Sequence, residues 1–166
     1  MVRWPSASKS AATRSRASSG PEEVRPRVDP LFEALGQRTI WVGAVGAGSR
    51  LKLVNNTWLA FTSEAVASSI ALARRLGLAT ETVVGALDGS TLVSPWQAAK
   101  LQRIAKDDYS AQFALALALK DVHLALQAAG DERFAALASL ADEWQQAVDD
   151  GLGDQDLTVM TRALEQ

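Results

Sequence analysis

The sequence predicts an all-α fold, and three observations carry that prediction. Apolar residues recur at three- and four-residue steps through most of the chain beyond Gly20, the spacing of one helix face. Residues that start and stop helices bracket these segments, and the connections between them are short, as in packed helical domains. A single short stretch reads as strand. At 166 residues and 48% apolar composition, the chain is long enough for one domain with a real core.

Taken in order, Met1–Gly20 has no hydrophobic period and six serines. It buries too little apolar surface to offset the entropy of ordering and reads as a disordered tail. Val28–Leu35 reads as a short helix closed by Gly36, since glycine takes the C-terminal cap without strain. Thr39–Val42 is β-prone and long enough for one strand. Gly43, Gly46 and Gly48 then open a long helix to about Leu76, along which Leu51, Val54, Trp58, Phe61, Ala65 and Leu72 recur at helical spacing. Thr80 suits the cap of a helix through Leu87, with Glu81 favourable in its first turn. Ser94 followed by Pro95 opens one to about Lys106. Ser110 opens Ala111–Ala129, striped by Leu115, Leu119, Val122 and Leu126. Asp131 caps a helix to about Asp150 that Gly151 closes, and Asp156 begins a short last one.

Composition excludes several chemistries. There is no cysteine, hence no disulfide scaffold, thiolate site or cysteine nucleophile. One histidine rules out a multi-histidine metal site, and no metal is expected. Seventeen basic against nineteen acidic residues argue against a dedicated nucleic-acid binder. The balance is uneven, however: residues 1–20 hold four basic groups and no acid, which leaves a net of −6 on the remainder. Such a break marks a tail joined to a domain. The tail lacks the apolar run of a secretory signal; its composition suits a transit peptide as well as a merely flexible terminus. Polar residues interrupt every apolar window, so no membrane association is expected and the reading is cytoplasmic.

Two constellations could carry chemistry. The glycine cluster follows a strand and precedes a helix, as in dinucleotide-binding folds, but Leu51 stands where G-x-G-x-x-G needs its third glycine, and Ser49 where a P-loop needs lysine. Beyond it, Lys52 and Asn56 share a helix face with Asn55 beside them, in an otherwise apolar segment. Desolvation there would lower a lysine's pKa toward the range of proton transfer; a lysine snorkelling from the core fits the same letters. In the later helix, Phe113 and Lys120 lie two turns apart, with Asp121 adjacent. That pair also reads as an exposed ion-pairing edge, and His123, one turn on, as a structural residue. Asp149, Asp150, Asp154 and Asp156 lack the spacing of a calcium loop and read as helix termination and capping.

Gly46-Ala-Gly-Ser-Arg-Leu-Lys52-Leu-Val-Asn-Asn56, Glu64-Ala65, Leu76-Gly-Leu78, Phe113 seven before Lys120-Asp121, and Gly151-Leu-Gly-Asp-Gln-Asp156 together resemble the C-terminal helical domain of the β-hydroxyacid dehydrogenases. The resemblance covers about residues 20–166 and implies a multi-helix domain of the 6-phosphogluconate dehydrogenase-like type. It implies NAD or NADP as cofactor and Lys52 as the catalytic acid/base. It further implies Asn56, Phe113 and Asp121 at the substrate, and Lys120 at the cofactor. The family's N-terminal G-x-G-x-M-G and Ser-Gly-Gly motifs have no counterpart here. The expected organisation is therefore a disordered basic tail over 1–19, a remnant helix and strand ending a Rossmann domain over 20–44, and a helical cofactor-binding and dimerisation domain over 45–166, the chain as a whole being N-terminally truncated relative to the family.

Two functional readings follow. One is the C-terminal domain of an NAD(P)-dependent oxidoreductase for a small β-hydroxyacid or semialdehyde, inactive alone and served by a separate Rossmann-domain chain. The other is a non-catalytic dimerisation module, suggested by the nearly all-round apolar segment Leu51–Leu76, which has to be covered on several sides. Both expect a homodimer through the helical domain.

Overall fold

A computed structural model describes residues 15–35, 38–130 and 134–165. The readings of residues 1–14 as tail, of Gly36 as a cap and of Asp131 as a cap lie outside the described residues. The chain forms two compact units, residues 1–55 and 56–166, and the division falls within one long helix.

In the first unit, strand β1 (Ser15–Ser18) is followed by helix α1 (Arg25–Leu35) and strand β2 (Arg38–Trp41). β1 and β2 pair in parallel, Ser15 opposite Arg38 and Ser18 opposite Trp41. Parallel neighbours need a crossover, and α1 supplies it. This corrects the sequence reading, which ran the unstructured tail through residue 19 and counted only one strand. A strand of Ser, Arg, Ala and Ser carries no apolar alternation, so its signal lies in backbone pairing that only the partner reveals. The pairing continues past the strand ends, with Val42 N–H donating to Ser18 O at 2.8 Å and Gly20 N–H to Gly43 O at 2.9 Å. Helix α1 starts three residues earlier than the apolar pattern suggests, with Pro26 in its first turn, where a missing N–H costs nothing.

Helix α2 (Ala47–Arg75, 29 residues) follows the glycine turn. Gly48 packs closely on the end of β1: a Cβ there would stand 3.3 Å from Ser19 Oγ and 3.7 Å from Ala17 O. Within the second unit, α2 is followed by α3 (Thr80–Leu87), α4 (Pro95–Ala105), α5 (Leu115–Ala129), α6 (Ala135–Ala147) and the single-turn α7 (Met160–Ala163). The all-α reading of this part is correct. Ser94 caps α4 as expected, in a full capping box with Gln97 and with Pro95 in the first turn. Thr80 is the first helical residue and not the cap, which is Ala79. Helix α6 gives way at Val148 to a wide turn through Leu152, in which Gly151 takes φ 86°.

The core gathers around Trp144, Ile70, Ile104, Leu115, Leu157 and Met160, all at most 1% exposed. The stripe Leu115, Leu119 and Val122 faces it, with Leu126 partly buried against it. Trp144 Nε1 donates to Glu64 Oε2 at 2.8 Å, satisfying the one polar atom of the largest buried side chain. Helix α2 departs from expectation. Beyond Asn56, its buried positions are small or β-branched, namely Ala60, Ser63, Val66, Ala67, Ile70, Ala71 and Ala73, while Val54, Trp58, Phe61 and Leu72 are exposed, Trp58 by 76%. Apolar recurrence marks a face, but small side chains let the neighbours approach closely enough to bury it.

One ion pair ties the second unit together. Lys100 Nζ on α4 donates to both Asp156 carboxylate oxygens at 2.8 Å, and the two side chains are 3% and 0% exposed. Asp156 also accepts from the amides of Gln112 (3.0 Å) and Phe113 (3.2 Å) and from the Thr158 amide (3.3 Å) and hydroxyl (2.9 Å). Burial by itself pushes the Asp156 carboxyl up, but the Lys100 ammonium and these donors outweigh it and hold it below the usual carboxylate range. Burial lowers Lys100 against the upward pull of Asp156.

Replacing Lys100 by Met strands a buried carboxylate and should cost about 3–5 kcal/mol in urea unfolding at pH 7. Because Asp156 titrates lower folded than unfolded, its stabilisation is complete at neutral pH and is lost as pH falls below the usual carboxylate range. Unfolding midpoints at pH 7 and pH 3 should therefore differ more for the parent chain than for Asp156→Asn; equal differences would remove this account.

Candidate functional site

Helix α2 carries Asn56, which is 7% exposed in a setting of apolar residues. Two adjacent asparagines are poor helix formers, and the structure shows what compensates one of them. Asn56 Nδ2 donates to Asp121 Oδ2 at 2.5 Å, across 65 residues of sequence. Asp121, on α5, is 5% exposed. Its other oxygen accepts from Lys120 Nζ at 2.6 Å. One buried carboxylate thus receives an amide on one oxygen and an ammonium on the other. An ionised carboxylate only accepts hydrogen bonds, so the Asn56 amide must turn its nitrogen toward Asp121, and its orientation is set by chemistry.

Lys120 has its side chain 54% exposed, so the pair couples a solvated cation to a buried anion. Lys120 also borders a groove of about 370 Å³ between α5 and the end of α6, lined by Leu119, His123, Leu124, Gln127 and Gln145 among others. The lining is mainly apolar, from Ala116, Leu119, Leu124 and Val148, with Lys120, His123, Gln127 and Gln145 as its polar members. His123 is exposed at this groove, and so is not the satisfied structural histidine that its apolar neighbours suggest.

Lys52 is half-buried in α2, four residues before Asn56, and Asn55 is half-buried beside it. The helix that joins these residues is continuous, so the spacing read from the sequence stands. The face argument for Phe113 and Lys120 does not. Phe113 precedes α5, which begins at Leu115 with Ala114 as its cap, so no helical periodicity relates the two residues. The Ser110 start is likewise wrong. Asp156 captures the amides that would have opened an earlier helix, and Ala114 bridges to Asp156 as an isolated antiparallel pair. Phe113 is half-buried and packs against the core.

The acidic run does terminate and cap: Asp149 and Asp150 accept from Gln145 and Gln146, and Asp156 caps the turn that leads into α7. Among the described residues no group of three or more His, Asp or Glu could hold a metal ion. None of the described helices is long and apolar enough to cross a membrane.

Lys120, its side chain 54% exposed beside the groove, is a cation of the kind that an anionic group of a nicotinamide dinucleotide would meet. In the strand–helix turn after β1, Glu22 and Glu23 stand in the first turn, and Glu22 pairs with Arg25 at 3.1 Å.

A sequence family described as NAD-binding of NADP-dependent 3-hydroxyisobutyrate dehydrogenase matches residues 46–164. The chain is 33% identical over 138 residues to glyoxylate/succinic semialdehyde reductase 1 of Arabidopsis thaliana, covering 81% of this chain and 47% of that protein. It is 36% identical over 117 residues to 2-hydroxy-3-oxopropionate reductase of Escherichia coli, covering 70% and 40% respectively. Among solved structures it resembles Mycobacterium tuberculosis 3-hydroxyisobutyrate dehydrogenase with L-serine, at a TM-score of 0.74 and 29% identity, over 94% of this chain and 56% of that one. The chain spans about half the length of the curated relatives it matches.

Asp121→Leu removes an acceptor that orients Asn56 and should cost about 1–3 kcal/mol by chemical denaturation, because a buried hydrogen bond is lost. Asp121→Asn, which retains an acceptor oxygen, should recover part of that loss; equal losses for both would show that Asn56 does not depend on this contact.

Proposed function

The chain belongs to the NAD-binding family of NADP-dependent 3-hydroxyisobutyrate dehydrogenase, and from that premise we propose that it acts as the helical, substrate-positioning domain of an NAD(P)-dependent oxidoreductase for a small β-hydroxyacid or semialdehyde. The observation that carries the reading is the meeting of Asn56, Asp121 and Lys120 around one buried carboxylate, one turn along α2 from Lys52. A lysine ammonium and an oriented amide are what a carbonyl reduction requires from the protein: a proton donor and a polar clamp.

When bound, NAD(P)H supplies the hydride. In the direction of reduction, Lys52 donates a proton to the carbonyl oxygen as the carbon accepts the hydride, leaving an alcohol and a neutral amine. In oxidation the amine takes the hydroxyl proton back. Asn56, its orientation set by Asp121, holds a polar group of the substrate, Phe113 supplies an apolar wall, and Lys120 attends the cofactor at the α5–α6 groove. In this reading the pyrophosphate is held by a glycine turn of a Rossmann-type chain.

A second reading, a dimerisation module, draws on Trp58, Phe61 and Leu72, exposed by 76%, 40% and 57% on α2, and on Leu76 just beyond its end, exposed by 68%. A second copy of the chain is the occupant proposed for these exposed apolar side chains, which lie on one side of the helix with Ser68 and Ser69 between them. The two readings are compatible, since a domain that positions substrate can also pair.

Assays with a semialdehyde and NADPH, on the full chain alone and mixed with a Rossmann-domain partner, test the first reading. Turnover should require the partner, and Lys52→Met should lower it by about 10²–10⁴-fold while leaving NADPH affinity unchanged. No turnover in any combination would remove the reading. Light scattering tests the second: a dimer at micromolar concentration, converted to monomer by Trp58→Glu, is the expected result, and a monomeric parent chain counts against it.

A further inference from the structure

Phe113 occupies a stretch without regular structure between Tyr109 and Ala114, and both of its backbone polar groups are committed to one short segment. Its amide donates to Asp156 Oδ2 at 3.2 Å, and its carbonyl accepts from the Leu157 amide at 3.0 Å. The neighbouring Gln112 amide donates to the same Asp156 oxygen at 3.0 Å. Gln112 Oε1 accepts from Lys100 Nζ at 3.2 Å, which ties the side chain as well. Beyond Phe113, the Leu115 and Ala116 amides donate to Gln155 and Gly153 carbonyls. The loop is therefore laid against residues 153–157 as a template: Arg103 and Asp108 hold its start at the Ser110 backbone, and the fully buried Asp156 carboxylate takes the amides at Gln112 and Phe113.

We propose that Asp156 is the positioning residue for Phe113: the Lys100–Asp156 pair fixes where the Phe113 ring stands and thereby how tightly the site closes on the apolar side of its substrate. This rests on Phe113 lining the substrate, as proposed above, and adds a determinant remote from the reacting atoms. Stability alone would not need this arrangement. A buried pair contributes little net folding energy relative to apolar side chains of similar volume, whereas two adjacent loop amides on one oxygen set the path of the chain. Lys100 acts through Asp156, holding the carboxylate charged and in place while its lone pairs meet the loop.

The test uses the full chain with 4-fluorophenylalanine at its four Phe positions, the Phe113 fluorine being assigned by Phe113→Leu. In Asp156→Asn the Phe113 signal should shift or broaden, with the signals of Phe32, Phe61 and Phe134 unmoved, while Lys100→Arg should keep the parent position. If Asp156→Asn does not fold, the apolar pair Lys100→Met with Asp156→Leu serves, since it removes the amide acceptor without leaving a buried charge. Titration with 3-hydroxyisobutyrate then reads the consequence: saturable movement of the Phe113 fluorine in the parent chain, and binding weakened by about tenfold in the variant. A Phe113 signal unchanged in the folded variant overturns the proposal, and so does an unchanged affinity. If the parent chain does not respond to the ligand while the variant still displaces Phe113, the functional reading fails and the placement of Phe113 by Asp156 stands.

Discussion

The Lys100–Asp156 ion pair is the constraint on which the second unit depends. Asp156 is wholly buried, yet each of its oxygens is saturated, by an ammonium, three backbone amides and a hydroxyl. Desolvating a carboxylate costs several kcal/mol, and only such complete pairing offsets it. The donors come from α4, from the loop preceding α5 and from the turn preceding α7, so one charge sets the relation of three segments that share no regular structure. The start of α5, and with it the depth at which Asp121 stands, follows from where that loop ends.

Asp121 repeats the device on a smaller scale at the candidate site. It is buried, takes an amide on one oxygen and an ammonium on the other, and is reached from α2 and from its own helix. The consequence is chemical as much as structural. Asn56 has no choice of amide orientation, and the Lys120 ammonium is drawn back along α5 beside the groove it borders. A site built on two long helices is stiffer than one built on loops, and proton transfer rewards that stiffness because a small misplacement costs much of the rate. Phe113 stands on a loop, and the bonds of its backbone to Asp156 and Leu157 supply rigidity that its own segment lacks.

Much of the site was legible because chemistry leaves odd letters in regular patterns. Two asparagines and a lysine inside an apolar helix, and a lysine–aspartate pair inside another, contradict the surrounding composition, and their neighbours match a known family. Lys100 gave no such signal. It sits in Pro95-Trp-Gln-Ala-Ala-Lys-Leu-Gln-Arg with polar residues on both sides, where a lysine is normally solvated, and only Asp156, 56 residues away, makes its burial tolerable. Asp156 was legible as a cap, which it is, and its second role was hidden because the amides it captures belong to a different segment. Strand β1 escaped notice for a related reason: small polar residues carry no alternation, and pairing energy resides in the backbone.

The sequence by itself determined that residues beyond 45 are helical, where most of those helices lie, and which polar residues stand out against their surroundings, since periodicity, capping and residue chemistry are local properties. Tertiary structure decided which face of α2 is buried, because close approach favours its alanines over the larger apolar row that the spacing displays. It also decided where α5 begins, that Asn56 answers to Asp121, and that a lysine and an aspartate of ordinary appearance form the buried pair that orders the loop before the site. Each of those outcomes is a contact between residues far apart in the chain, and its energy comes from desolvation and geometry that no single segment contains.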